Sequence, residues 1–546
     1  MENKDLRALI LSAGQINNEL TKIFGKIPSG LIPINGKPVI FRIIDKLLDE
    51  GIEKISITVG YKKEILQEII TEQYKNECKL NFIPTDYHKP PGNSIKSSME
   101  ECDEKKILII LGDTLIDNNL TELIEKGKNF VLTSEKFSDT KNWCVITKSG
   151  EIIDEIFDKK QLENDKKYDA LVGCYFFNNV NLLKTILKDF SDDDRLEISS
   201  LIRKIKEKEN FESVNAEKWL DVGHLENYFL TKQFVLKARY FNKLQFDDLG
   251  ENIVKTSTNN EKLVDEIKWY ESIPKEISNL VPKILETSTE NNPFIKLEYV
   301  KHPTLSELWL YGEFSVEFWK KIIEDLFDII QKFKKFNKSV TKQEYDSIYL
   351  EKTSNRINEL VQTNNFFKKI FDEDFIIIND KKLKNWKLMK DKIKDKISTM
   401  FNKEDNCLIH GDLYFSNILY DSEDEIYKLI DPRGKWGEST SGDIKYDIAK
   451  IRHSIVGGFD TIINGLYSAK YLKDNKIEYK VFKSKNNQLL STELDYNIEK
   501  NWKLDEIKMI EGLLFISMLP LHSDNVERQL AFFCVGIERL NEIFGI

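Results

Sequence analysis

Long apolar runs are missing from this sequence. Nowhere do its 546 residues reach the ~18 consecutive apolar residues of a membrane-crossing helix. "MIEGLLFISMLPL" (Met509–Leu521) is shorter and suits a buried helix. Cysteine is scarce too. The six thiols (Cys78, Cys102, Cys144, Cys174, Cys407, Cys534) form no C-x-x-C pair and have no histidine at metal spacing. They therefore read as reduced side chains, not as a disulfide framework or a zinc site. There is no basic excess, since 81 Lys and Arg face 91 Asp and Glu, for a formal charge of −10. That balance argues against sequence-blind nucleic-acid binding, which needs clustered cations at phosphates. The Lys-rich "KDKIKDKISTMFNK" reads as a solvated helix face. The opening "MENKDLRALILSAG" shows no basic leader followed by an apolar stretch and a cleavage site. These absences predict a cytoplasmic protein with neither membrane nor nucleic acid as partner. No internal repeat, low-complexity tract or Pro/Gly/Ser-rich linker interrupts the chain.

What is present is a globular composition, 41% hydrophobic and 32% charged, on a chain long enough for two to four domains. "RALILSAG", "KISITVG" and "KILIILGD" read as buried parallel strands. Between the first two, "VIFRIIDKLLDEGI" places Val39, Ile40, Ile43, Ile44, Leu47 and Leu48 at helical spacing, with Gly51 where the helix would stop. This alternation predicts an α/β, doubly wound, Rossmann-like open sheet over residues 1–238, with ligands at the carboxyl ends of its strands. Gly14 and Asp113 fall at such ends. After "KWLDVGHLENYFLTKQFVLKARY" the texture changes. "KLQFDD", "ENIVKTS" and "NPFIKLEYV" read as short antiparallel strands, with the helix "EKLVDEIKWYESI" between the last two. From Thr304 the chain reads as mainly helical, interrupted by one hairpin. The second domain is thus expected over 239–546, as an α+β, bilobal body with lobes of about 239–303 and 304–546.

In that second half, "LIHGDLYFSNILYDSEDEIYKLIDPRG" sets His410, Asp412 and Asn417 at H-x-D-x-x-x-x-N spacing. Phosphoryl transfer needs an oriented acceptor hydroxyl, magnesium and positive charge on the phosphates. Asp412 would orient the hydroxyl and accept its proton, and Asn417 would ligate magnesium. The hairpin "NILY-DSEDE-IYKLID" would return Asp431 beside Asn417, so that both meet one cation. Upstream, Lys255 in "NIVKTS" is available for nucleotide phosphates and Glu266 for an ion pair to that lysine. "LEYV", with Glu298 and Val300, would be the interlobe connection that receives adenine. His410 reads as a backbone brace and Asp447 as structural, while Trp436 and the aromatics of "WLYGEF" read as core. This half resembles the aminoglycoside phosphotransferase and choline kinase family, a branch of the protein-kinase-like fold. "HGDLYFSNIL", "LIDPRG" and "GDIKYDIAKI" carry the resemblance. No glycine-rich G-x-G-x-x-G loop precedes Lys255, only "DDLGEN".

The first half, through "LILSAG" and "GLIPINGKPVIFRIIDKLLDEGIEKISITVGYKKEIL", resembles the nucleotidyltransferases that make nucleoside-diphosphate sugars, CDP-choline and related activated alcohols. The resemblance implies that the loop Leu11, Ser12, Ala13 and Gly14 wraps a nucleoside triphosphate. It also implies that Asp113 ("LIILGDTLID") and Asp221 ("WLDVGHLENY") hold catalytic magnesium. Gly92 and Asn93 in "PPGNSIKSSME" fall where the family contacts the base and the start of the sugar. Lys159 falls where a lysine meets the acceptor phosphate, with Lys160 as its rival. The family's loop carries an arginine and a lysine for the triphosphate, yet Gln15 and Ser29 stand near those places here. Lys22 or Lys26 could supply the missing charge, or the domain could bind a nucleotide or sugar without turning it over.

Joined, the two resemblances imply a bifunctional enzyme. A kinase would phosphorylate a small alcohol or sugar with ATP. A nucleotidyltransferase would then couple the phosphomonoester to a second NTP, CTP or UTP, with Mg2+ in both steps. The product, a CDP-alcohol or a nucleotide sugar, suits modification of capsular or other cell-surface polysaccharide. The alternative is a small-molecule kinase with a catalytically inactive, nucleotide- or sugar-binding regulatory domain at its amino end. Neither the acceptor nor the oligomeric state can be read from the sequence.

Overall fold

The computed structural model describes residues 5–545 apart from 75–76, 138, 163–165, 192–193, 237–241, 248–249, 438 and 484–485. It divides into two compact units, residues 1–235 with 311–313, and residues 236–310 with 314–546. The expected boundary at 238/239 lies outside the described residues. Among the described residues no helix is long and apolar enough to cross a membrane.

The amino-terminal unit is built on a nine-stranded sheet. Leu6–Leu11 lies between Lys54–Val59 and Lys106–Leu111, parallel to both, and Lys79–Pro84 extends the parallel run beyond Lys54–Val59. Strands covered on both faces read as continuous apolar runs, and "LRALIL" buries five of its six residues and "KILIIL" its central four. Between Leu6–Leu11 and Lys54–Val59 the chain crosses over through the helix Val39–Asp49, which buries Val39, Ile40, Phe41, Ile43, Ile44 and Leu47. Gly51 ends that helix at φ +73°, a conformation that costs a residue without Cβ little. The expected doubly wound sheet needs one correction. Beyond Lys106–Leu111 the sheet is mixed, because Asp169–Phe177 joins that strand antiparallel and Asn129–Ser134 is antiparallel to Asp169–Phe177.

Parallel registry brings Leu11 opposite Leu111, so the loops that follow both strands start side by side. The approach is close. The Gly112 N–H donates to the Leu11 carbonyl at 2.9 Å. A Cβ on Gly112 would lie 2.8 Å from that carbonyl oxygen and from the Ser12 Cβ. Only glycine fits there.

The carboxyl-terminal unit opens with the antiparallel sheet Asn242–Phe246, Asn252–Ser257, Phe294–Glu298 and Ile284–Ser288. The helix Asn260–Glu271 leaves it, buries Leu263, Glu266, Ile267, Trp269 and Tyr270, and is capped by the Asn259 side chain. Three of these strands were legible in the sequence; Ile284–Ser288 was not. The hairpin Ile418–Asp421 with Ile426–Leu429 forms as expected. Leu504–Met518 packs between the helices Ile444–Ile455 and Val526–Phe544, the first of these two buried along its whole length. The mainly helical reading after Thr304 is corrected by a second four-stranded sheet of Phe375–Ile378, Lys381–Lys384, Lys476–Val481 and Tyr467–Tyr471. Trp436 is core, 1% exposed among Tyr345, Tyr349 and Tyr446. Trp309 packs edge-on against Trp319 and Phe415.

Gly112→Ala should therefore destabilise the amino-terminal unit by roughly 1–3 kcal/mol, the usual cost of overpacking a tight interior. Faster amide hydrogen exchange in Lys106–Leu111 would register it, and unchanged exchange there would count against the close approach.

Candidate functional sites

In the amino-terminal unit the short strand Trp219–Asp221 pairs antiparallel with Thr114–Ile116, which puts Asp221 opposite Thr114. The Val222 N–H donates to the Asp113 carbonyl at 3.1 Å. Two carboxylates more than a hundred residues apart in sequence thereby face one point. A Cβ on Gly223 would lie 3.0 Å from Asp113 Oδ2 and 3.3 Å from Asp221 Oδ1. Burial, together with the Asp221 charge, pushes the Asp113 carboxyl up to about 6. Asp221 is buried and accepts from the Gly223 N–H at 3.2 Å and the Asn227 amide at 2.8 Å. His224 Nδ1 lies 2.8 Å from Asp221 Oδ2, a contact that raises the imidazole pKa. Such a crowded pair suits a divalent cation.

The first loop is tied to this point. Asn17 caps the helix Asn18–Phe24, and its amide donates to the Gly223 carbonyl at 2.7 Å. The Ser12 N–H donates to Thr58 Oγ1, the Ala13 carbonyl accepts from Tyr61, and the Gly14 carbonyl accepts from the Ser29 N–H at 3.0 Å. Ser29 thus meets the loop through its backbone. Lys159 is exposed, and its charge acts on both Asp113 and His224. Lys160 instead lies over the Phe157 ring at 5.2 Å. Lys22 and Lys26 are exposed, on the last turn of Asn18–Phe24 and just beyond it, and neither is among the charges that act most on Asp113. Asn93 donates to the Asp194 carbonyl and accepts from the Leu196 N–H, while a Cβ on Gly92 would lie 2.3 Å from the Leu196 carbonyl oxygen. Both residues brace the 194–196 segment. His224, Asn227 and Asn17 had no part in the sequence reading, although "DVGHLEN" places two of them within six residues of Asp221.

In the carboxyl-terminal unit three separate stretches converge. Lys255 Nζ lies 2.7 Å from each Glu266 carboxylate oxygen and 2.8 Å from Asp431 Oδ1. Burial opposes the Lys255 charge, but Asp431 and Glu266 more than restore it. Asn417 is fully buried. Its amide nitrogen lies 3.0 Å from the Asp412 carbonyl and 3.5 Å from those of Asp412 Oδ2 and the Asp431 main chain. Its carbonyl oxygen is therefore the atom able to meet a cation. The Ile430 N–H donates to the Asn417 main-chain carbonyl at 3.0 Å, so the hairpin brings Asn417 and Asp431 together and leaves the Asn417 side-chain Oδ1 as the atom for a cation. Asp431 has φ +54°, uncommon for a residue with Cβ, directly before Pro432. Glu298 ends its strand 3.4 Å from Lys428 Nζ, and Val300 follows in the connecting segment.

The turn carrying Asp412 is braced from below. Asp447 accepts the backbone N–H groups of His410 and Gly411, each at 2.7 Å. His410 Nδ1 accepts the Asp412 N–H at 3.3 Å and Nε2 faces the Ile430 carbonyl at 3.1 Å, which assigns a neutral imidazole protonated at Nε2. Burial lowers the His410 pKa to about 4. Lys450, absent from the sequence reading although it lies within "GDIKYDIAKI", pairs with Asp412 Oδ1 at 2.8 Å. Among the described residues no three His, Cys, Asp or Glu side chains gather into a metal cage. Magnesium needs fewer, since it completes its shell with water and phosphate oxygens.

Residues 7–238 match the protein-family model described as Nucleotidyl transferase. The UTP–glucose-1-phosphate uridylyltransferase AglF of Haloferax volcanii is 24% identical over 232 residues, 41% of this chain and 93% of that protein. A D-glycero-alpha-D-manno-heptose 1-phosphate guanylyltransferase of Campylobacter jejuni is 22% identical over 230 residues, 41% of this chain and 97% of its own length. The bifunctional protein GlmU of Methanococcus aeolicus is 26% identical over 220 residues, 40% of this chain and 51% of that protein. Among solved structures, UDP-glucose pyrophosphorylase complexed with UDP-glucose shares 20% identity at a TM-score of 0.36, covering 41% of this chain and 96% of its own. HddC from Yersinia pseudotuberculosis complexed with GMP-PN shares 19% identity at a TM-score of 0.35, covering 42% and 99%.

The His410 environment sets an acid limit. Its folded pKa of about 4 lies below the ordinary 6.5, so the folded state binds fewer protons between these values. The stability it contributes is complete above pH 6.5 and lost as pH falls towards 4, by about 3 kcal/mol. Denaturant midpoints of the carboxyl-terminal unit at pH 7 and pH 4.5 should fall further for the native chain than for His410→Asn. Equal falls would refute a buried neutral imidazole.

Proposed function

We propose that the carboxyl-terminal unit phosphorylates a hydroxyl of a small alcohol or sugar with ATP, and that the amino-terminal unit couples the resulting phosphomonoester to a nucleotide. The observation that carries the second step is the facing pair Asp113 and Asp221 at the ends of the loops that follow the parallel strands. The first step rests on the convergence of Lys255, Asp431, Asn417 and Asp412 from three stretches of chain. The relatives act, by name, on sugar 1-phosphates, which favours a sugar phosphorylated at its anomeric hydroxyl over an amino alcohol, and UTP or another NTP as the second nucleotide.

In the first step Asp412 accepts the proton of the acceptor hydroxyl. The acceptor oxygen bonds to the γ-phosphorus, the bond from that phosphorus to the ADP oxygen breaks, and ADP leaves. Lys450 holds the Asp412 carboxylate in place, and Lys255, fixed by Glu266, faces the nucleotide phosphates. In the second step a phosphomonoester oxygen bonds to the α-phosphorus of the NTP as the α–β bridge breaks and pyrophosphate leaves. Lys159 would meet the incoming phosphate. Asn417 and Asp431 would hold magnesium in the first site, and Asp113 and Asp221 in the second. Bound there, the ion neutralises phosphate charge and orients the oxygens.

A second reading, a kinase with a regulatory amino-terminal unit, is favoured by Gln15 and by Ser29, whose observed tie to the loop is its backbone N–H. Release of ADP and of pyrophosphate from the full chain separates the two. Asp113→Asn with Asp221→Asn should lower pyrophosphate release ~100-fold or more while ADP release stays within ~3-fold, and Asp412→Asn should do the reverse when the phosphomonoester is supplied. A native chain that releases ADP but never pyrophosphate with any NTP would replace coupling by regulation.

A further inference from the structure

The Asp412 carboxylate opens on a cavity of about 880 Å³ whose lining also includes Lys255, Asp431, Lys352, Arg356 and Arg433. The cations that line this cavity differ in their partners. At the nucleotide end, the cation Lys255 is matched by Glu266 and Asp431, and the further acids Glu261 and Asp265 lie on the helix Asn260–Glu271. Three cations of the cavity have neutral hydrogen-bond partners, while Arg528 pairs with Asp524. Lys352 Nζ and Arg433 Nη1 both donate to one acceptor, the Tyr446 hydroxyl, each at 3.1 Å. Arg433 Nε donates to the Lys435 carbonyl, and Arg356 Nη1 donates to the Ser517 carbonyl at 2.9 Å. Among acids, the charge of Asp412 acts on Lys352 and that of Glu359 on Arg356, and Asp412 is itself held by Lys450.

Such a cluster is costly in the absence of an anion. Lys352 and Arg356 stand four residues apart on the helix Lys352–Thr363, and like charges at that spacing repel on one helix face. Burial and the charges of Arg433 and Arg356 drive the Lys352 amine well below its ordinary pKa. Burial and Arg433 also lower the Arg356 pKa. The segment that feeds this helix, Ser347–Glu351, is a π-helical turn, a feature common beside functional sites. Three half-buried cations, with neutral oxygens for recorded partners, form a wall that a phosphate or carboxylate would satisfy by charge-assisted hydrogen bonds. A quaternary or primary amine would be repelled by these three side chains.

We infer that the acceptor phosphorylated at Asp412 is a hydroxyl compound that already carries an anionic group, a phosphate or a carboxylate, seated on Lys352, Arg356 and Arg433. The inference rests on the kinase reading for the transfer itself and on the cavity alone for the binding of the anion. The transfer leaves that group intact: the acceptor hydroxyl gains the γ-phosphoryl, ATP becomes ADP, the proton passes to Asp412, and the product carries two anionic groups.

The test offers the full chain Mg-ATP with four probes, namely glucose, glucose 6-phosphate, glucuronate and choline, following ADP release, and measures probe binding by calorimetry without nucleotide. ADP release with glucose 6-phosphate or glucuronate in preference to the other two supports the inference, and the better of the pair identifies the anion. In Lys352→Met and Arg356→Met the KM for that probe should rise roughly tenfold or more, with kcat held within ~3-fold. ADP release with glucose or choline at equal or better efficiency overturns it. Binding of an anionic probe that both variants lose, with no ADP from any probe, keeps the anion site and removes the kinase reading. No binding and no ADP release with either anionic probe overturns the inference.

Discussion

Much of the carboxyl-terminal unit depends on one buried carboxylate, Asp447. A tight turn with its N–H groups pointing inward leaves them unsatisfied unless something in the core accepts them, and each orphaned donor would cost ~1–3 kcal/mol. Asp447 takes two at once, from His410 and Gly411, at 2.7 Å each. Burial pushes its own carboxyl up to about 7, and those two donors pull the other way. Gly411 makes the turn possible at φ +75°, with Arg433 packed where a Cβ would be. Asp412, next in the chain, is thereby held at its backbone, and Lys450 holds its carboxylate.

The helix bearing Asp447 extends this logic. Ile444–Ile455 is buried on every side and yet carries Lys445, Lys450 and Arg452. Buried charges persist when each is paired. Lys445 reaches Glu506 at 3.1 Å and the Met400 carbonyl at 3.0 Å, Lys450 reaches Asp412, and Arg452 reaches Asp495 and Glu511. Lys445 and Arg452 pair with acids of the core, whereas Lys450, between them in sequence, ends at the Asp412 carboxylate. One rigid element thus serves as core, as rack for the Asp412 turn and as source of its counter-charge.

The sequence was most legible where a signal is local. Apolar runs marked the parallel strands, and the turn residues between "NILY" and "IYKLID" marked the hairpin that closes Asn417 onto Asp431. The second sheet of the carboxyl-terminal unit escaped because its key pairing joins Ile377 to Lys476, too far apart for any window of periodicity. Its turns did leave a trace. Asn379 and Asp380 both have positive φ, as do Asp474 and Asn475, and such Asx pairs suit tight hairpins. In the sites, motifs named Asp113, Asp221, Asp412 and Lys255, and the fold brings Asp113 to Asp221 and Lys255 to Asp431. Lys352, Arg356 and Lys450 were invisible because a lysine or arginine on a helix looks solvated until packing turns it inward. Asn93 is the converse, a motif residue whose amide the fold uses to brace the 194–196 segment.

The two sites handle charge in opposite ways, and this bears on how their chemistry can be joined. In the amino-terminal unit like charges, Asp113 and Asp221, are pressed together until burial and repulsion raise the Asp113 pKa, an arrangement that relaxes when a cation arrives. In the carboxyl-terminal unit cations are crowded at one end of a cavity, an arrangement that relaxes when an anion arrives. A phosphomonoester bearing a second anionic group would leave the cationic wall and next need positive charge at the carboxylate pair. There Lys159 and His224 are the cationic side chains whose charges act most on Asp113. With Gln15 in the loop and Ser29 tied to it through its backbone, a doubly anionic substrate of the proposed second step would have to rely on the metal ion for much of its counter-charge. On the proposed two-step function, the metal ion held by the acidic pair would be the electrostatic condition for accepting the phosphomonoester.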